Sequence, residues 1–137
     1  MLPVSLTFAG ALALLNVWLG IRVTQVRVGG KILIGDGGHP RLLARMRAHA
    51  NFIEYTPFML ILLALIEIAG APRAWLWGIG ILYVIARIAH AYGMERTTTN
   101  PFRAGGAIVT WLVLIGLGLW AIVLASHVPA VGAVHYL

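Results

Sequence analysis

Arg47, Asn51 and Glu54 are spaced i, i+4, i+7. In a helix that spacing puts a guanidinium, a carboxamide and a carboxylate on one stripe. Arg87 and His90 follow at i, i+3, and Arg103 stands shortly after a proline at Pro101. Guanidinium groups pair with carboxylate or phosphate, and a carboxylate pairs with an amine, so the set suits a small, polar, anionic ligand. The setting makes these residues conspicuous. Glu54 is followed by twelve uncharged residues, Tyr55 to Ile66, and Arg87 is preceded by thirteen, Ala74 to Ala86. A charge placed in hydrocarbon costs about 2.5–3.5 kcal/mol on insertion scales, so such groups face partners or a water-filled pocket.

Plainer readings compete for some of these residues. Arg41 and Arg45 can extend to lipid phosphates. A Glu54–Arg87 pair can be a structural clamp. His39 and His49 carry little signal alone, and Glu67, near the far end of its apolar run, reads as interfacial and solvated. His49, His90 and Glu54 have no metal-ligand spacing, and there is no Ser-His-Asp set and no glycine-rich phosphate loop after a strand. No cysteine is present, which excludes disulfides, thiolate metal sites and a cysteine nucleophile. Two ionisable stripes plus Arg103 still exceed what a clamp needs.

The elements that must position them are membrane helices. Of 137 residues, 61% are hydrophobic and 10% charged, and the mean hydropathy is +0.92. Soluble domains carry about 25% charged residues. A bilayer-spanning helix needs about 20 apolar residues. The sequence predicts one four-helix domain over 1–137, with helices at about 2–26, 41–69, 74–95 and 102–126. The apolar part of the first is Leu2 to Ile21, interrupted mainly by Asn16. Glycine pairs and His39-Pro40 mark the following stretch as loop, Gly70-Ala71-Pro72 ends the second helix, and Thr97 to Pro101 breaks the chain before the fourth. Gly105, Gly106, Gly116 and Gly118 allow close helix packing in the fourth. The N-terminus lacks the basic region and cleavage site of a signal peptide.

The formal charge of +6 fits anchoring to anionic lipid or an anionic substrate better than nucleic acid. Arg22, Arg27, Lys31, Arg41, Arg45 and Arg47 lie in or beside the first connection, and Arg96 and Arg103 flank the third. The second has Arg73 alone. The positive-inside rule then puts the first and third connections in the cytoplasm, with both termini outside and the ionisable stripes in the cytoplasmic halves of their helices.

The stretch "RAHANFIEY" (Arg47 to Tyr55), completed by Pro57, resembles the second-helix signature of the MAPEG family, the membrane-associated proteins in eicosanoid and glutathione metabolism. "ARIAHAYGMER" and "NPFRAGG" are similar to the family's third helix and the start of its fourth. "GDGG" and "HAYG" look most like small bacterial members. The resemblance covers most of the chain. It implies an all-α, four-helix membrane protomer assembled as a homotrimer, here in a bacterial inner membrane. Glutathione, the cosubstrate, would bind between protomers near the cytoplasmic leaflet. Residue by residue, Arg47, Asn51, Glu54 and Tyr55 match glutathione contacts, Arg87 and His90 match helix-three positions, and Arg103 matches the arginine that stabilises the thiolate. The helix-one arginine corresponds to Arg27 or Arg22. Family members carry a tyrosine four residues beyond the His90 position, where this chain has Met94; Tyr92 lies on another face.

The chemistry so implied is direct. A thiol with a pKa of about 8.5 is mostly protonated at neutral pH, and a guanidinium favours its thiolate. That thiolate attacks an electrophile, or reduces a peroxide, arriving from the lipid. The expected function is a glutathione-dependent transferase or peroxidase of lipophilic small molecules. The rivals are a non-catalytic scaffold or ligand carrier on the same fold and, last, a small multidrug transporter, which needs a carboxylate that Leu2 to Ile21 lacks.

Overall fold

The computed structural model describes residues 1–96, 98 and 100–127. The short, weakly apolar tail that the sequence places from His127 onward lies, beyond His127 itself, outside them. Four helices follow in order: α1 (Pro3–Gly30), α2 (Pro40–Ile68), α3 (Arg73–Met94) and α4 (Pro101–Ser126). All four are long and apolar enough to cross a membrane, and no strand occurs among the described residues. The protein is an all-helical, multi-pass membrane protein.

Prolines start the helices. Pro3, Pro40 and Pro101 occupy the first turns of α1, α2 and α4, where a missing N–H costs nothing and φ is already helical. His39 caps α2, its Nδ1 accepting from the Leu42 N–H at 3.4 Å. Asn100 caps α4, accepting from the Arg103 N–H at 3.0 Å. α1 runs farther than expected. "RVTQVRVGG" is helical rather than loop, because nothing in it breaks a helix before Gly29-Gly30; Lys31, at φ 53°, then turns the chain.

α1 packs mainly on α2, α3 mainly on α4, and α2 touches all three others. The buried core includes Leu12, Phe52, Met59, Leu63, Leu76, Tyr83 and Leu117. Most polar groups inside the bundle are paired, as a hydrocarbon surround requires; the buried Arg87 Nε is the exception among the described residues. The Oδ1 of Asn16, the interruption in α1, accepts from His49 Nε2 at 2.8 Å. The Thr56 and Tyr83 hydroxyls meet at 3.1 Å.

Glu67 corrects an expectation. It is buried, 7% exposed, not solvated. Its carboxylate accepts from the Val4 N–H (3.1 Å), the Ser5 N–H (2.8 Å) and the Ser5 hydroxyl (2.6 Å). The first N–H groups of a helix lack partners of their own. Here α2 supplies the acceptor and the negative charge that the α1 N-terminus favours.

α3 and α4 meet closely, backbone against backbone. A Cβ at Gly106 would stand 2.6 Å from His90 Cβ and 2.7 Å from the Ala86 carbonyl oxygen. One at Gly93 would stand 2.3 Å from the Arg103 nitrogen. Asn100 secures the crossing by donating to the Gly93 carbonyl at 2.8 Å. Glycine lets the backbones meet, the usual device of membrane helix packing. Gly106→Ala is expected to lower thermal stability in detergent by about 1–3 kcal/mol, the cost of overpacking. Gly105→Ala, with nothing within 4 Å of its Cβ, is the control that should change little.

Candidate functional site

The contact just described sets the wall of a cleft. Its volume is about 560 Å³, and it is lined by Arg47, Ala50, Asn51 and Glu54 from α2, His90 and Met94 from α3, and Arg103, Ala104 and Ala107 from α4. It lies at the end of the bundle where α3 finishes and α4 begins. The i, i+4, i+7 stripe of α2 thus meets His90 and Arg103 as the spacing suggested.

Arg87 stands behind the cleft and is 2% exposed. It donates to Asn51 Oδ1 at 2.8 Å and to the Thr110 hydroxyl at 3.1 Å. Its Nε has no partner among the described residues, and Phe52 lies under the guanidinium at 5.7 Å. Glu54 is not its ion-pair partner, so the clamp reading fails. Because Oδ1 of Asn51 is taken by Arg87, the Asn51 amide is turned to offer its N–H₂ elsewhere. Arg47, Glu54 and Arg103 are exposed in the single chain and form no ion pair among the described residues.

Two expected residues stand apart. Tyr55 is half-buried and outside the cleft lining. Arg27 reaches the Leu33 carbonyl (3.4 Å) and Met46 Sδ (3.4 Å) and does not line the cleft of its own chain. Arg22 does not either. It is buried between the rings of Trp18 and Tyr92, at 4.5 and 5.2 Å, and pairs with Glu95.

Glu95 was not singled out by the sequence. It caps α3 and gathers Arg22, Arg41 (3.2 Å) and Arg45 (2.8 Å). Arg45 also donates to the Arg22 carbonyl at 2.5 Å. The reading of Arg45 as a headgroup anchor is therefore replaced: it is buried, 9% exposed, with a carboxylate in reach, while Arg41 remains exposed. No local spacing marks this node, because its members lie on three helices. The cation excess beside a lone Glu after α3 was the available signal.

The MAPEG family model matches residues 5–123. The chain belongs to the MAPEG family. It is also similar to the Inner membrane protein YecN of Escherichia coli strain K12, with 31% identity over 120 residues, covering 85% of this chain and 91% of that one. The YecN of Escherichia coli O6:H1 strain CFT073 matches to the same extent. In this MAPEG protein Met94 lines the cleft, so the departure from the family pattern falls on the candidate site itself.

Burial alone would raise the Glu95 pKa. The Arg45 hydrogen bond and the Arg22 charge outweigh it and hold the carboxyl below its usual range. A depressed carboxylate stabilises the fold above its unfolded pKa, about 4.3, and that contribution is lost as pH falls through the lower folded value. Thermal melts in detergent should therefore show wild type losing stability on acidification below about pH 4.3 more steeply than Glu95→Gln. Near neutral pH Glu95→Gln should be the weaker by about 1–3 kcal/mol, a charged hydrogen bond's worth.

Proposed function

We propose that this MAPEG protein is a membrane-bound, glutathione-dependent transferase or peroxidase acting on lipophilic electrophiles. The observation that carries the reading is the convergence of Arg47, Asn51, Glu54 and Arg103 on one cleft without ion pairs among themselves. Free charges on membrane helices need a counterpart. Glutathione offers two carboxylates, an ammonium and a thiol. Arg47 and the Asn51 amide would hold carboxylates, Glu54 the ammonium, and Arg103 the thiolate. The cleft volume lies within the range of small-ligand sites, about 300–1,000 Å³. Arg keeps its proton even when desolvated, which suits it to stabilise a sulfur anion.

The cleft is open on the single chain, and we take a homotrimer to complete it, the neighbouring protomer bringing Arg27 and Tyr55 remaining on the α2 side. The cytoplasm is the side we assign to the cleft, and the bacterial inner membrane the location, from the basic residues at that end and from the name of the YecN relatives. Electrophiles would arrive from the bilayer. A second reading, ligand binding without turnover, is favoured by Met94, which puts a thioether in the cleft lining where a hydroxyl would serve a transferase. Calorimetric titration of the detergent-purified protein with glutathione separates both readings from a scaffold that binds nothing.

The mass of the protein–detergent particle should correspond to three protomers; a stable monomer or dimer would remove the shared-site arrangement. Arg103→Ala should raise the pH at which bound glutathione shows thiolate absorbance by about 1–3 units, the effect of losing an adjacent opposite charge. Affinity should change far less. An unchanged thiolate titration in Arg103→Ala would make Arg103 a headgroup anchor and take away the catalytic reading's main support.

A further inference from the structure

His90 stands in the cleft wall in a fixed orientation. It is 5% exposed, its Cβ is wedged against Gly106, and its Nδ1 lies 3.0 Å from the Arg103 carbonyl oxygen. A carbonyl oxygen only accepts, so Nδ1 must carry the hydrogen. In the neutral ring Nε2 is then the lone-pair nitrogen. Nε2 has no hydrogen-bond partner among the described residues and is not among their buried unsatisfied atoms, and His90 lines the cleft. The carbonyl does not need this bond. Arg103 lies in the first turn of α4, and the helix ladder gives its oxygen a donor four residues on. The bond orients the ring rather than satisfying the backbone.

We infer that His90 is a further catalytic residue, the base that takes the thiol proton through Nε2. This rests on the reading of the cleft as a thiol-binding site. The other groups facing His90 serve worse. Arg47 from α2, Arg87 from α3 and Arg103 from α4 carry no lone pair to accept a proton. Glu54 from α2 can accept one, but its exposed carboxylate is the group that would hold the ligand's ammonium. Imidazole is the side chain most often used for such a proton transfer. The arginines oppose the imidazolium but favour the thiolate beside it, and the proton stays in the pair.

The step balances. The S–H bond breaks, its electrons remain on sulfur, and an N–H bond forms at Nε2. Sulfur then adds to the electron-poor carbon of a conjugated carbonyl compound. The displaced π electrons form an enolate, and Nε2 returns the proton to it. Nδ1 keeps its hydrogen throughout, so the Arg103 carbonyl holds the ring in both charge states.

Proton accounting tests this. Glutathione and S-methylglutathione are titrated calorimetrically into the detergent-purified protein just above neutral pH, in two buffers of different ionisation enthalpy, with thiolate absorbance followed in parallel. The expected result is a thiolate band for bound glutathione with the same proton release as S-methylglutathione, because the thiol proton stays on the protein. A thiolate band accompanied by about one extra proton released per site overturns the proposal and leaves the glutathione-binding reading intact. Binding without a thiolate band also overturns it. No binding heat with either ligand removes the glutathione reading, and this inference with it. His90→Gln keeps an N–H donor for the Arg103 carbonyl. It should bind glutathione either without the band or with the extra proton released to buffer; a band without that release would show that another group is the base.

Discussion

Everything at the candidate site depends on how closely α3 and α4 approach. Two glycines, Gly93 and Gly106, put the backbone of one helix against the other where a methyl group would collide with Arg103 and His90. That contact decides where the first turn of α4 sits, and the first turn of α4 carries Arg103. It also brings the Arg103 carbonyl within hydrogen-bond distance of the His90 ring. Among apolar helices in lipid there is little hydrophobic gain from association, so close packing and interhelical hydrogen bonds must hold such a crossing. Asn100 adds those bonds at the mouth of the connection.

The carboxylates show how the same constraint separates structure from function. Glu67 is consumed by the N-terminus of α1, and Glu95 by three arginines from α1 and α2. Both tie helices together at opposite ends of the bundle. Glu54 is tied to nothing among the described residues. The arginines divide likewise. Arg22 and Arg45 are buried on Glu95, Arg87 is buried on Asn51 and Thr110, and Arg47 and Arg103 line the cleft with no ion pair among the described residues. Removing a buried partner leaves an uncompensated charge in a low-dielectric surround, which is costly; the cleft residues carry no such internal obligation and are available to a ligand.

Arg87 links the two groups. It belongs to the structural set by burial, yet its bond to Asn51 fixes which end of that amide faces the cleft. A guanidinium with an unpaired Nε in so apolar a place is an expensive way to orient one carboxamide, and this is consistent with a site in which donor direction matters.

The sequence by itself determined the class of protein, the four spans and the α2 stripe. Each of these is a local property: apolar length sets a span, proline and glycine set its ends, and a spacing of three or four sets a face. The family signature at Arg47 to Tyr55 is local in the same sense. Tertiary structure alone decided the roles of Glu67, Glu95, Arg22 and Arg45, because the partners of each lie on other helices, sixty or more residues away for Glu67. It likewise decided that Glu54 is free of Arg87, and that the Arg103 carbonyl fixes the His90 ring. Charge type and spacing show that a group is ionisable and which way its helix turns it. Whether a charge is paired or free depends on what the neighbouring helix places within about 3 Å, and no single segment of the chain contains that distance.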